Sequence, residues 1–244
     1  MPITVACVVP ARYASTRYPG KLLEALDGKP VILHTLGQAR KASCFDEIVC
    51  LTDSEDIAKI VSRNHYDVYM TSPAANGTER IAHNLELIKS SHIINLQGDE
   101  PIFPVASLID FYQNFKKYLD DVCVLLYNPE DKQKAMNNPN RMKTLVNRQS
   151  QVVGFRRRFE KDFVMPSDFK LGIQMGIYGY SKSFLAKYGK LPSSEREREE
   201  SHELLRDLTL NTVRAFFTDT SSLSVDVPED LVRIRRRLGS LSGT

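Results

Sequence analysis

Arg12, Arg17 and Lys21 share a single loop, Pro10-Ala11-Arg12-Tyr13-Ala14-Ser15-Thr16-Arg17-Tyr18-Pro19-Gly20-Lys21. Arginine offers a planar two-pronged donor and lysine a compact point charge, so with the two hydroxyls and the glycine they form a candidate polyphosphate cradle. The loop is neither G-x-G-x-x-G nor G-x-x-x-x-G-K-[ST]. By composition alone a solvated basic loop is an equal alternative. Its place directly after an apolar, strand-like run favours a site, because ligands of open α/β sheets sit outside the carboxyl ends of strands.

Three further constellations carry chemistry. In Gln97-Gly98-Asp99-Glu100-Pro101 a carboxylate beside glycine can ligate Mg²⁺ while the ion bridges phosphate oxygens, although the same residues make a good turn. Ser224-Val225-Asp226-Val227-Pro228-Glu229-Asp230 reads as a helix start with acids favouring the dipole. Asp226, just ahead of it, is available as a second metal carboxylate, but sequence spacing alone cannot pair it with Asp99. Asn76-Gly77-Thr78-Glu79-Arg80 stands at a loop-to-helix junction and suits an anion, a base edge or a plain cap equally. Other motifs are set aside. His202-Glu203-Leu204-Leu205-Arg206 lacks the second histidine of H-E-x-x-H, and no G-x-S-x-G elbow occurs. The run Glu195–Glu200 reads as a solvated helix face, and Arg235–Arg237 as cations near a helix C-terminus.

The elements that must position these residues follow a strand–helix rhythm. Residues 3–9, 47–52, 68–70 and 92–96 are short apolar runs, separated by helical patterns over 31–39, 55–64 (capped by Ser54) and 78–88. This predicts an α/β fold: a mostly parallel, doubly wound (Rossmann-like) sheet with helices on both faces. Residues 122–127, 143–147 and 151–155 look like strands joined by turns, so 120–190 reads as an antiparallel excursion or subdomain. Helices are expected over 183–188, 195–210 and 229–238. The whole of 1–244 is expected to form one domain: a nucleotide-binding half over about 1–119, the excursion, and a return over about 191–238.

The 244 residues carry 33 Lys and Arg against 30 Asp and Glu, a net +3. So even a balance, with no basic stripe interleaved with aromatics, argues against a nucleic-acid partner. The balance is uneven along the chain: residues 1–140 hold 14 cations against 17 acids, and 141–244 hold 19 against 13. Cys7, Cys44, Cys50 and Cys123 show no metal-ligand spacing and are expected to be reduced and mostly buried. No apolar run approaches a membrane span and no signal peptide is evident, so a cytoplasmic protein is expected.

Together the motifs resemble those of the sugar-acid cytidylyltransferases, most closely the 3-deoxy-manno-octulosonate (KDO) cytidylyltransferase family. Pro10-Ala11-Arg12, Ser15-Thr16-Arg17 and Pro19-Gly20-Lys21 match its nucleotide loop. Asn76–Arg80 matches its S-G-T-[DE]-R segment with Asn for Ser, and Gln97–Pro101 matches Q-G-D-E-P. Asn138-Pro139-Asn140 with Lys143, Gly176–Tyr180, and Val225-Asp226 with Pro228–Asp230 follow in family order. The resemblance covers about residues 3–238. It implies CTP bound by Pro10, Ala11, Arg12, Ser15, Arg17, Lys21, Gly77, Thr78, Arg80 and Gln97, the last near the ribose. It implies Mg²⁺ held by Asp99 and Asp226, with Arg12, Lys21, Asp99 and Asp226 as the catalytic set. A sugar acid would meet Arg157, Gln174, Tyr178 and Glu203, and the protein would be a homodimer. CMP would pass to the anomeric hydroxyl of an ulosonic acid with release of pyrophosphate. The rival expectations are another sugar or nucleotide, or a non-catalytic CTP-binding relative. The departures fall in the sugar half. The family pattern H-x-G-I-Y appears as Gln174-Met175-Gly176-Ile177-Tyr178, and L-E-Q-L-R as His202–Arg206. F-S-R-x-x-I-P-x is reduced to Phe155-Arg156-Arg157-Arg158-Phe159.

Overall fold

A computed structural model describes residues 2–241, apart from Thr16, Lys161, Asp162, Ser201 and Thr209 and the side chains of Asp207 and 237–241. The strands are β1 (Val5–Ala11), β2 (Ala25–Leu26), β3 (Lys29–Pro30), β4 (Glu47–Thr52), β5 (Asp67–Met70), β6 (His92–Leu96), β7 (Val122–Tyr127), β8 (Lys143–Val146), β9 (Val152–Arg156), β10 (Lys170–Ser181) and β11 (Val213–Thr218). The helices are α1 (Val31–Ala42), α2 (Glu55–Arg63), α3 (Gly77–Ala82), α4 (Val105–Phe115), α5 (Lys132–Asn137), α6 (Lys182–Tyr188), α7 (Glu195–Glu200), α8 (Leu204–Asp207) and α9 (Pro228–Leu241).

β1 is buried on both faces, as its unbroken apolar run requires of a central parallel strand. It pairs in parallel with β4 and β6, and the sheet runs β11-β7-β10-β6-β1-β4-β5. β10 enters this order antiparallel to both β6 and β7, and β8 and β9 extend from it as an antiparallel flap. The expected α/β class, with helices on both faces, is the observed one. Residues of α1, α4 and α9 fill one core cluster, and those of α6 and α8 fill the other. Ser54 caps α2 by accepting from the Ile57 N–H, as its sequence position indicates.

Several elements differ from expectation. β10 is twelve residues long, although Gly172, Gly176 and Gly179 break its apolar run into turn-like pieces. β11 and α4 were not anticipated, and the expected helix over 195–210 is two short helices, α7 and α8. α9 runs on to Leu241, so Arg235 and Arg236 lie before its last turn, and Arg235 donates to the Ala25 carbonyl at 2.6 Å. The thiols of Cys7, Cys50 and Cys123 are buried, and burial raises all three pKa values, Cys50 to about 12. They are inert packing groups.

Phe115 of α4 is wholly buried against the sheet and stacks on Phe111 at 6.4 Å. Phe115→Ala should therefore lower stability by about 3–5 kcal/mol, read as a reduced urea midpoint with unchanged slope.

Candidate functional site

The loop after β1 folds back so that Lys21, on a 3₁₀ turn (Lys21–Leu23), points under the end of β6. Its ammonium donates to Asp99 Oδ2 at 2.5 Å and to the Val225 carbonyl at 2.7 Å, and lies 3.7 Å from Asp226 Oδ1. Arg17 donates to the same Asp226 oxygen at 2.8 Å. The Val225 N–H donates to the Asp99 carbonyl, closing the two acidic loops on one another at 2.9 Å. Asp99 and Asp226 thus converge on one cation, which sequence spacing alone could not establish. Asp230 plays the expected helix-start part, accepting from the N–H groups of Asp226 and Val227.

A second group lies beside the first. Gln97 donates its side-chain amide to Glu203 Oε1 at 3.0 Å, and the Thr78 N–H donates to Glu203 Oε2 at 3.2 Å. Gly77 and Gly176 make this possible by close approach. A Cβ at 77 would stand 2.9 Å from the Pro10 ring, and one at 176 would stand 2.7 Å from Gln97 Cβ. Ala11 is buried at the end of β1. Arg12 is exposed and donates to the Ala75 carbonyl at 3.2 Å, joining the first loop to the one before α3. Ser15 is half-buried in the first loop.

Two residues expected on the nucleotide face inward. Arg80 is 2% exposed and bonds Asp53 at 2.7 Å, Thr71 and the Ser72 carbonyl, so it holds the loop before α3 rather than presenting a charge to solvent. Thr78 is wholly buried, its hydroxyl between Tyr180 and Asn95. Asn76 is the plain cap, accepting from the Glu79 N–H at 2.8 Å. Glu203, expected on the sugar acid, has both oxygens occupied by Gln97 and Thr78, and burial pushes its pKa up to about 7 despite the Thr78 donors.

Arg157 follows β9. Its backbone N–H donates to Glu200 Oε2 at 2.9 Å and its Nε to the Glu200 carbonyl at 2.7 Å. Burial, then the charge of Arg17, lowers its pKa, while Asp226, Glu200 and Tyr178 act in the opposite sense. Tyr178, opposite Asn95 in the β10–β6 ladder, is buried and packs edge-on against Tyr180. Glu195, Arg196, Arg198 and Glu199 of α7 are exposed, as a solvated face requires, but the helix also has a buried side. Glu197 is buried and, with Glu79, binds Arg206, at 2.6 and 2.9 Å. The six-residue helix is folded against the protein by that side.

Two site residues escaped the sequence. Glu100 accepts from the Gly176 N–H at 2.9 Å, and burial and Asp99 raise its pKa to about 7. Lys143 is 0% exposed, and its ammonium bonds the carbonyls of Asn138 (2.6 Å) and Arg157; burial, then Arg157, lowers its pKa to about 8. Its place in the Asn-Pro-Asn-x-x-Lys stretch was the available signal.

The chain matches the cytidylyltransferase family model over residues 6–217. It belongs to the cytidylyltransferase family. It is 33% identical to a 3-deoxy-manno-octulosonate cytidylyltransferase of Syntrophotalea carbinolica, over 98% of this chain and 100% of that one. It is 36% identical to the enzyme of the same name from a Nitratiruptor species, over 93% and 97%. Its fold superposes, with a TM-score of 0.86 and 27% identity over 97% and 99% of the chains, on a CMP:2-keto-3-deoxy-manno-octonic acid synthetase complexed with CTP. Among the described residues no helix is long and apolar enough to cross a membrane.

Because the folded pKa of Glu203 lies above the ordinary carboxylate value, its contribution to stability is full below that value and is lost as pH rises through about 7. The melting temperature of the wild type should fall between pH 5 and pH 8, and Glu203→Gln should fall less steeply. Parallel curves would assign the pH dependence to other groups.

Proposed function

We propose that this nucleotidyltransferase transfers CMP from CTP to the anomeric hydroxyl of 3-deoxy-manno-octulosonate, releasing pyrophosphate. The observation that carries the proposal is the convergence of Asp99 and Asp226 on Lys21, beside Arg17, in a chain of this family. The names of the relatives and of the CTP-bound structural neighbour supply the nucleotide and the acceptor.

Asp99 and Asp226 would hold Mg²⁺. Among the described residues no set of three or more His, Cys, Asp or Glu could hold a metal unaided. Two converging carboxylates fit an ion that takes its remaining ligands from phosphate oxygens and water, as Mg²⁺ commonly does. When bound, the ion lowers the pKa of the attacking hydroxyl and stabilises charge on the transferring phosphoryl group. Arg12 and Lys21 would face the phosphates of CTP and stabilise the departing pyrophosphate, and Arg17 bridges from this loop to the Asp226 side. Gln97, held by Glu203, would meet the ribose. Arg157, with its backbone braced by Glu200 and Lys143, would receive the acceptor's carboxylate on its guanidinium. The acceptor oxygen forms its bond to the α-phosphorus as the bond to the bridging oxygen of pyrophosphate breaks. The protein supplies position and charge, and no covalent intermediate is needed.

A homodimer formed through residues 120–190 is part of the proposal. That segment carries exposed apolar side chains, Val153 and Val164 (82% exposed). The proposed location is the cytoplasm, where CTP is available.

Pyrophosphate release from CTP and 3-deoxy-manno-octulosonate should require Mg²⁺. Asp99→Asn should bind CTP within a few-fold of wild type and lose at least about a hundredfold in turnover. Full activity in that variant would remove Asp99 from the metal site. In sedimentation, the protein should run at twice its monomer mass of 27.7 kDa, and Val164→Glu should shift it toward the monomer.

A further inference from the structure

On the sheet face that carries Leu126 and Phe155, four buried polar atoms have no hydrogen-bond partner: Gln174 Oε1 and Nε2, Thr144 Oγ1 and His202 Nε2. Strand register gathers them. Thr144 lies opposite Phe155 on β9 and opposite Gly172 on β10. Gln174, two residues beyond Gly172, projects to the same face and lies opposite Leu126. The His202 ring packs edge-on against Phe155, with centroids 4.6 Å apart. His202 is 7% exposed and Thr144 0%. Buried polar groups in native proteins almost always have a partner, so these atoms mark a place completed by a molecule the chain does not supply.

Their chemistry limits what that molecule can be. Threonine hydroxyl, glutamine amide and neutral imidazole each both donate and accept. Burial and the nearby Arg157 push the imidazole pKa down to about 3, so it is uncharged at neutral pH. An uncharged set of this kind complements hydroxyl groups, which also donate and accept, and has no cation to attract a carboxylate or phosphate. Arg157 stands beside it for the carboxylate. Gln174 is only half-buried as a residue, with its amide turned inward toward this set. The chain also departs from its family's pattern at this place. Leu204, where the pattern has Gln, is wholly buried in the core, and His202 stands where the pattern has Leu.

We propose that Thr144, Gln174 and His202 form the subsite for the hydroxylated tail of the acceptor, remote from its reacting carbon, and that His202 is a specificity-determining residue. The proposal rests on the sugar-acid acceptor argued above. It is tested by pyrophosphate-release kinetics of wild type and His202→Leu with two acceptors, 3-deoxy-manno-octulosonate and an analogue lacking the two terminal hydroxyls. With the full acceptor His202→Leu should raise KM about tenfold, with the KM for CTP unchanged and kcat little altered. With the shortened acceptor, wild type and variant should have the same KM. Conservative His202→Asn should recover part of the loss and guards against a folding defect, which would lower activity equally for both acceptors. An equal KM increase for both acceptors, or none for either, would overturn the subsite and leave an interior water as the partner of these atoms. No wild-type turnover with the full acceptor would overturn the reaction assigned above, and the subsite with it.

Discussion

The site depends on one ammonium group. Lys21 reaches Asp99, Asp226 and the Val225 carbonyl at once, from a loop, a strand end and a segment that lie far apart in the chain. Two carboxylates this close repel unless a cation lies between them. Lys21 is that cation here, a compact charge on a flexible stem. The Val225–Asp99 backbone bond and the Arg17–Asp226 pair set the acids in place before any ligand arrives. Preorganisation of this kind is what phosphoryl transfer asks of a protein, because the reaction needs little covalent chemistry from it.

A second, drier set of contacts supports the first. Glu203 ties Gln97 to the start of α3, and Arg206 ties α8 to Glu79 and Glu197. The buried Arg206 is kept charged by its two carboxylates, which raise its pKa, and its guanidinium lies 4.2 Å from the centre of the Tyr188 ring. Removing either kind of partner would leave a buried charge uncompensated, a far larger cost than the loss of an exposed pair. The acids around α7 and α8 therefore fix the position of Gln97 beside the Lys21 cluster.

The first half of the fold was legible because its strands are short, apolar and regularly separated by capped helices. β6 was read with its observed limits, and the Ser54 cap and the Asn76 alternative were both present in the residue types. β10 was not legible: its glycines serve close packing, Gly172 against Leu126, Gly176 against Gln97 and Glu100, and Gly179 against Phe115, and glycine in a sequence signals a turn before it signals contact. In the site, the cations and carboxylates were visible as residue types after strands, whereas their meeting was not. Convergence over more than a hundred positions is set by sheet order, which local periodicity does not encode. The inward turn of Arg80 was not legible for a related reason. Arg80 stands on α3 close to glycine and threonine, and only Asp53, at the end of a neighbouring strand, shows that it braces the fold. Regional charge is no guide to the cluster, since Arg12, Arg17 and Lys21 lie in the acidic part of the chain.

In the proposed reaction, Asp99 and Asp226 would act as one metal site completed by the nucleotide. Binding of Mn²⁺, followed by electron paramagnetic resonance with and without CTP, tests it most directly. The wild type should bind Mn²⁺ tightly only when CTP is present, and Asp226→Asn should lose that CTP-dependent binding while still binding CTP. Undiminished CTP-dependent Mn²⁺ binding in Asp226→Asn would contradict the claim.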